Sequence, residues 1–93
     1  MRKDQIQLLI KKHIKLFLIN KKYCSRTTKT KYSQIVSELF FILEDLSRSK
    51  LYAKKNLIKR INYYVRSLKH TSKHTFERKA PLIKELKYIL NKF

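Results

Sequence analysis

Glycine is absent from this chain of 93 residues, proline occurs once, cysteine once, and tryptophan not at all. Each absence excludes something. Phosphate-cradling loops and dinucleotide turns need glycine, because the backbone must adopt φ > 0 or approach the phosphate closely. Tight two-residue hairpins lean on glycine as well. Helices tolerate its absence best, so a chain with no glycine and only Pro81 as a breaker reads as helical. A lone Cys24 forms no internal disulfide and no zinc knuckle, which points to a reducing interior. No segment approaches the ~18–20 uninterrupted apolar residues of a membrane span. The N-terminal run IQLLIKKHIKLFLI is broken by Lys11, Lys12, His13 and Lys15, and no small-residue cleavage site follows it. The sequence predicts a protein that stays in the cytosol.

Acidic residues are also scarce. Only 6 Asp and Glu stand against 24 Lys and Arg, for a formal net charge of +18. Solubility asks for a net charge of only ~2–8 in a small domain. The excess costs self-repulsion and points to an anionic partner: nucleic acid, an anionic membrane surface or an acidic protein patch. The hydrophobic fraction of 43% is that of ordinary globular proteins, so wholesale disorder is excluded. The length suits one domain, residues 1–93.

Apolar residues recur at 3.6-residue spacing in four segments. The first covers 3–22, with Ile6, Leu9, Ile10, His13, Leu16 and Phe17 on one side and Ile14 at its border. Lys11, Lys12, Lys15 and Lys22 project from the other side. Leu8 and Ile19 interrupt that polar side, as if the helix were covered on both faces or touched a membrane. Residues 23–30 read as a loop ending in Thr28 or Thr30 as a helix cap. The second helix covers 31–47, with Tyr32, Ile35, Val36, Leu39, Phe40, Leu43 and Leu46 as its stripe. It carries Glu38, Glu44 and Asp45, carboxylates to offer basic neighbours. Residues 48–53 read as a short connection. The third helix covers 54–69, with Leu57, Ile58, Ile61, Tyr64, Val65 and Leu68 facing inward and Arg60 at the stripe's edge. Residues 70–75 read as a turn. The fourth helix covers 76–92, with Ile83, Leu86, Ile89, Leu90 and Phe93 inward. Pro81 would delete a hydrogen bond inside that helix, so the helix is expected to start there or to follow a short turn at 76–80. Short loops between amphipathic helices predict an all-α, antiparallel up-down four-helix bundle.

No set of residues reads as catalytic. His70, His74 and Glu77 have a spacing that ligates metals on one helix face, but they sit in a turn beside Lys73 and Arg78, which repel a cation. They read as solvated turn residues, and no metal or other cofactor is expected. His13 reads as a core-edge histidine with one hydrogen bond, and Cys24 as an ordinary loop cysteine. Glu44 and Asp45 read as salt-pairing groups within the bundle rather than an acid–base pair. Tyr63 and Tyr64 among Lys59, Arg60 and Arg66 have the look of an aromatic–basic nucleic-acid surface. Helical geometry nevertheless turns Tyr64 into the core and Tyr63 to its border.

Three strings carry a resemblance. KYSQIVSEL at 31–39 opens the second helix and LIKRINYYV at 57–65 makes the third. Thr71, Lys73 and Phe76, followed by LIKEL at 82–86, complete the order. Together they resemble the immunity proteins for pediocin-like bacteriocins, in particular the enterocin A immunity group, with Tyr32, Leu57, Ile58, Arg60, Ile61, Tyr64, Thr71, Lys73 and Phe76 at matching positions. The chain departs from that pattern in stopping directly after the fourth helix, in one residue fewer between Phe76 and Leu82, and in its higher charge.

The resemblance implies an antiparallel four-helix bundle in the cytosol. It implies that the protein engages the bacteriocin-bound sugar-phosphotransferase permease at the inner membrane face and keeps a leak from opening. The C-terminal half, Lys54–Phe93, would carry much of the specificity. The candidate partner-binding residues are Lys55, Lys59, Tyr63, Arg66, Lys69, Lys73, Lys84 and Lys87. Lys11, Lys12, Lys15 and Lys22 form the candidate membrane-proximal face, since basic residues gain about 1 kcal/mol each near an anionic leaflet. Charge alone equally fits a small helical nucleic-acid-binding protein.

Overall fold

The computed structural model describes residues 1–69 and 72–93, the side chains of residues 27 and 74 excepted. It contains four helices: α1 (Lys3–Lys21), α2 (Arg26–Arg48), α3 (Lys50–Leu68) and α4 (Lys73–Leu90). No strand occurs among the described residues. The chain is an all-α four-helix bundle. The helices alternate in direction: Glu38 of α2 meets Arg60 and Tyr64 of α3, and Asp45 meets Asn56 nearer the connecting turn.

Three of the four helices, α2, α3 and α4, begin where serines cap them. Ser25 Oγ accepts from the Thr28 backbone N–H, Ser49 Oγ from that of Tyr52, and Ser72 Oγ from that of Thr75. Three boundaries therefore differ from the sequence reading. The expected loop at 23–30 is mostly the first turn of α2, and Ser25, not Thr28 or Thr30, is its cap. The expected connection at 48–53 shrinks to Ser49, which closes α2 and opens α3. Of the expected turn at 70–75, residues 73–75 already belong to α4, which Ser72 caps. Each of the three stretches is short and carries no clear apolar period, so it reads as loop, while the serine inside it is enough to begin a helix. Pro81 is the fourth correction. It lies inside α4, which neither starts there nor breaks before it.

The core is a narrow seam. Ile6, Ile10 and Ile14 of α1 are buried against Ile35, Val36, Leu39, Ile42 and Leu46 of α2. Ala53, Leu57 and Ile61 of α3 and Leu82, Leu86 and Ile89 of α4 complete it, with Ile83 also buried. The α2 positions 35, 39, 42 and 46 alternate steps of four and three, the spacing of a bundle seam. That spacing is narrower than the broad stripe of the sequence reading. Leu16, Phe40, Ile58 and Val65 are exposed accordingly, whereas Ile42, Ala53 and Leu82 are buried and Ile14 is core rather than border. The bundle is also flat, 36 × 31 × 17 Å, so each helix keeps a wide outward sector. α2 packs against all three other helices, and α1 leans mainly on α2.

Candidate functional site

The basic candidates are displayed on the outward faces of α1 and α3 and along a groove between α3 and α4. On α1, Lys11, Lys12, Lys15 and Lys22 are exposed. Helical arithmetic places Leu8, Lys11, Lys15, Leu18, Ile19 and Lys22 in one outward sector. Leu8 is 69% exposed, and Leu18 and Ile19 are also exposed. Leu18, Lys21, Lys22 and Lys29 border a shallow, mostly apolar depression at the α1 C-terminal end. The interruption of the polar side by Leu8 and Ile19 is thus a feature of the molecular surface.

On α3, Lys55, Lys59, Arg66 and Lys69 are exposed along one stripe away from the core. Lys59, Asn62, Tyr63 and Arg66 line an open depression of about 270 Å³. Tyr63 is 69% exposed, and its ring meets that of Tyr64 edge-on at 5.6 Å. Lys73 begins α4 and is exposed. Lys84 and Lys87 stand apart from the α3 stripe. They edge a groove between α3 and α4 whose floor is Val65, Leu68, Phe76, Ala80 and Ile83. The structure therefore brings Lys59, Tyr63 and Arg66 together and Lys84 and Lys87 together, and does not join them in one patch.

Tyr64 turns inward and donates its hydroxyl hydrogen to Glu38 Oε1 at 2.6 Å. Burial, then the bond to Glu38 and its negative charge, push the Tyr64 hydroxyl up to about 12, opposed by the charge of Arg60 and by a hydrogen bond from the Gln34 amide, which keeps a second N–H for other partners. Arg60 bonds Glu38 Oε2 at 2.8 Å and lies over the Phe41 ring at 4.5 Å. These residues of the matching strings hold helices together, as does Tyr32, whose ring packs on Phe17 at 5.3 Å.

His13 makes one side-chain hydrogen bond, Nδ1 to Glu85 Oε1, and stacks on Tyr88 at 5.3 Å. This ties α1 to α4 at the edge of the core. Cys24 Sγ donates to the Asn20 carbonyl at 2.9 Å. The expected salt pairing of Glu44 and Asp45 falls elsewhere. The interhelical ion pairs among the described residues use Glu38 and Glu85, and Asp45 accepts from Asn56 instead. Glu38 and Glu85 point across helix seams, which sequence spacing along one helix does not reveal. His70, Thr71 and the His74 side chain lie outside the described residues, and with them the His70, His74 and Glu77 reading. Among the described residues no group of three or more His, Cys, Asp or Glu is placed to hold a metal.

One cluster is absent from the sequence reading. Thr30, Lys31 and Gln34 of α2 face Thr75, Arg78 and Lys79 of α4 across a narrow cleft of about 120 Å³. With 23–30 and 70–75 read as loops, Thr30 and Thr75 are not placed on helix faces. The signal that finds them is a serine followed three residues later by threonine, Ser25 with Thr28 and Ser72 with Thr75, each pair marking a helix start. No helix of the described residues is long and apolar enough to cross a membrane. No family model, no curated protein and no solved structure matches the chain.

Proposed function

We propose that this chain is a non-catalytic binding protein of the bacteriocin-immunity kind. In this reading it is a cytosolic bundle that lies against the inner membrane face and engages a bacteriocin-bound sugar-phosphotransferase permease. The observation that carries it is the outward face of α1, where Leu8, Leu18 and Ile19 stand exposed among Lys11, Lys15 and Lys22. Apolar side chains enter a headgroup layer while lysines gain from anionic lipid, and both are needed because either alone binds weakly. The kind of protein comes from the ordered strings at 31–39, 57–65 and 71–86, whose Tyr32, Arg60 and Tyr64 sit at helix seams. The receptor-facing surface in this reading is α3 with α4: Lys55, Lys59, Tyr63, Arg66, Lys69, Lys73, Lys84 and Lys87.

The test is expression in a bacteriocin-sensitive strain followed by challenge with a panel of pediocin-like bacteriocins. Protection against at least one is expected, and Lys59→Glu with Arg66→Glu should abolish it while leaving the protein folded. Unchanged sensitivity across the panel overturns the reading.

A second reading rests on the depression formed by Lys59, Asn62, Tyr63 and Arg66, where an exposed aromatic ring lies among cations. Single-stranded nucleic acid uses such surfaces by stacking bases and neutralising phosphates. It predicts binding with a steep salt slope that Tyr63→Ala weakens. Loss of binding near physiological salt, with no effect of Tyr63→Ala, counts against it.

A further inference from the structure

The cleft between the N-terminal parts of α2 and α4 has the makings of an anion site, independently of the role proposed above. Lys31, Arg78 and Lys79 converge there with the Gln34 amide and the hydroxyls of Thr30 and Thr75. Lys31, Gln34, Thr75 and Lys79 are half-buried, so their polar ends are gathered by the fold rather than spread into solvent. In this alternating bundle α2 and α4 run parallel. Their N-terminal ends therefore lie on the same side, which sets Thr30, Lys31 and Gln34 opposite Thr75, Arg78 and Lys79.

No acidic side chain lines the cleft. The interhelical ion pairs among the described residues use His13 and Arg60, and none uses Lys31, Arg78 or Lys79. Glu38, one turn beyond Gln34, is occupied by Arg60 at 2.8 Å and Tyr64 at 2.6 Å. Glu77 precedes Arg78 but is exposed and outside the lining. Lys79 Nζ lies 5.5 Å from the centre of the Tyr64 ring, on the cleft side of the α2–α3–α4 junction, and no carboxylate pairs with it among the described residues. Thr30 Oγ1 donates to the Arg26 carbonyl. Thr75 Oγ1 shares a hydrogen bond with Ser72 Oγ and can turn its own hydrogen toward an anion.

We propose that this cleft binds a phosphate monoester as its dianion. Arg78 forks onto two phosphate oxygens, Lys31 and Lys79 act as point charges on the others, and Gln34 and Thr75 complete the donor set. A volume of about 120 Å³ takes a phosphoryl group, and the rest of the molecule that carries it would extend out of the cleft mouth. Three cations favour a doubly charged monoester over a singly charged diester. The monoester can belong to a small soluble compound or to a lipid headgroup, and the two are separable by experiment.

The experiment is an amide-resolved NMR titration of the full chain with inorganic phosphate at constant ionic strength. Saturable shifts confined to residues 30–34 and 75–79 are expected. Arg78→Gln with Lys79→Gln should weaken binding about tenfold or more, as loss of charge-assisted hydrogen bonds does. Arg2→Gln with Arg48→Gln removes the same charge at exposed positions near the opposite end of α2 and should weaken it less than about twofold, because exposed charges at that distance are screened. Circular dichroism verifies that both double variants keep their helices. The soluble arm uses glycerol phosphate. The lipid arm compares vesicles containing phosphatidate with vesicles containing phosphatidylglycerol. A phosphatidate preference that Arg78→Gln with Lys79→Gln removes assigns the site to a headgroup. Glycerol phosphate binding without that preference assigns it to a soluble ligand. Equal weakening by the two double variants, shifts spread evenly over α1 and α3, or no saturation with phosphate overturns the proposal.

Discussion

Glu38 and Arg60 meet at 2.8 Å across the seam between α2 and α3, and the same carboxylate takes the Tyr64 hydroxyl at 2.6 Å. The Glu38 side chain is only 12% exposed, so the pair is poorly screened. Glu38→Gln keeps the shape and removes the charge, leaving Arg60 without its counter-ion. A loss of ~2 kcal/mol is expected, read as a lower urea midpoint at unchanged slope. Asp4→Asn is the matched control. Its partner Arg2 lies 3.9 Å away with both side chains largely exposed, so a loss within ~0.5 kcal/mol is expected. Equal losses from the two substitutions would contradict this account of the seam.

Tyr64 supplies a pH signature. Its hydroxyl is pushed up to about 12, first by burial and then by Glu38. A raised value in the folded state means that folding favours the neutral phenol. That contribution is complete below the ordinary value of 10.0 and fades as pH rises through about 12. Ultraviolet titration of the chain's 6 tyrosines should show a late phase near 12. Tyr64→Phe should remove that phase and no other, and its persistence would show that the late phase belongs to another tyrosine and that the Tyr64 hydroxyl is not raised.

His13 makes the corresponding tie between α1 and α4, bonding Glu85 and stacking on Tyr88. The Glu85 side chain is 14% exposed and loses a partner when the imidazole is removed. His13→Ala should lower stability by ~1–2 kcal/mol. His13→Gln restores the hydrogen bond but not the ring, and should recover part of the loss. Because α1 leans mainly on α2, hydrogen exchange in His13→Ala should rise in α1 before α2. Uniform change across both helices would mean that this contact does not hold α1 in place.

Periodicity alone locates the four helices, and the absence of glycine excludes the alternatives. What periodicity misjudges is the width of the buried face. Phe40 and Ile58 belong to the apolar stripe of their helices yet are exposed, because a flat bundle buries only a narrow sector of each. Ala53 is missed for the opposite reason: it adds little to an apolar pattern but sits where helices approach closely. The lysine-rich faces are legible because exposed charge follows from helix geometry. The Lys31–Arg78–Lys79 cleft is not legible, because it depends on which two helix starts the fold sets side by side.

Pro81 tests how far α4 is held by its neighbours rather than by its own backbone. It is the ninth residue of a helix that starts at Lys73, so it removes the hydrogen bond that the Glu77 carbonyl would otherwise receive. In a helix interior that costs ~3 kcal/mol relative to alanine. Three effects reduce the figure. Glu77 and Pro81 are both exposed, so water can bond the freed carbonyl. Proline also restricts the unfolded chain, a gain of ~0.4–1 kcal/mol that alanine gives up. The Pro81 ring further lines an apolar pocket with Phe17, Tyr32 and Tyr88, and alanine fills it less well. Pro81→Ala should therefore stabilise by only ~1–2 kcal/mol, raising the thermal midpoint by several degrees. The next residues, Leu82 and Ile83, are buried, and packing at these positions keeps the helix continuous across the missing bond. Leu82→Ala in the presence of Pro81 should accordingly cost more than Leu82→Ala in the Pro81→Ala background. Simple additivity of the two would show that the helix crosses Pro81 without help from the core.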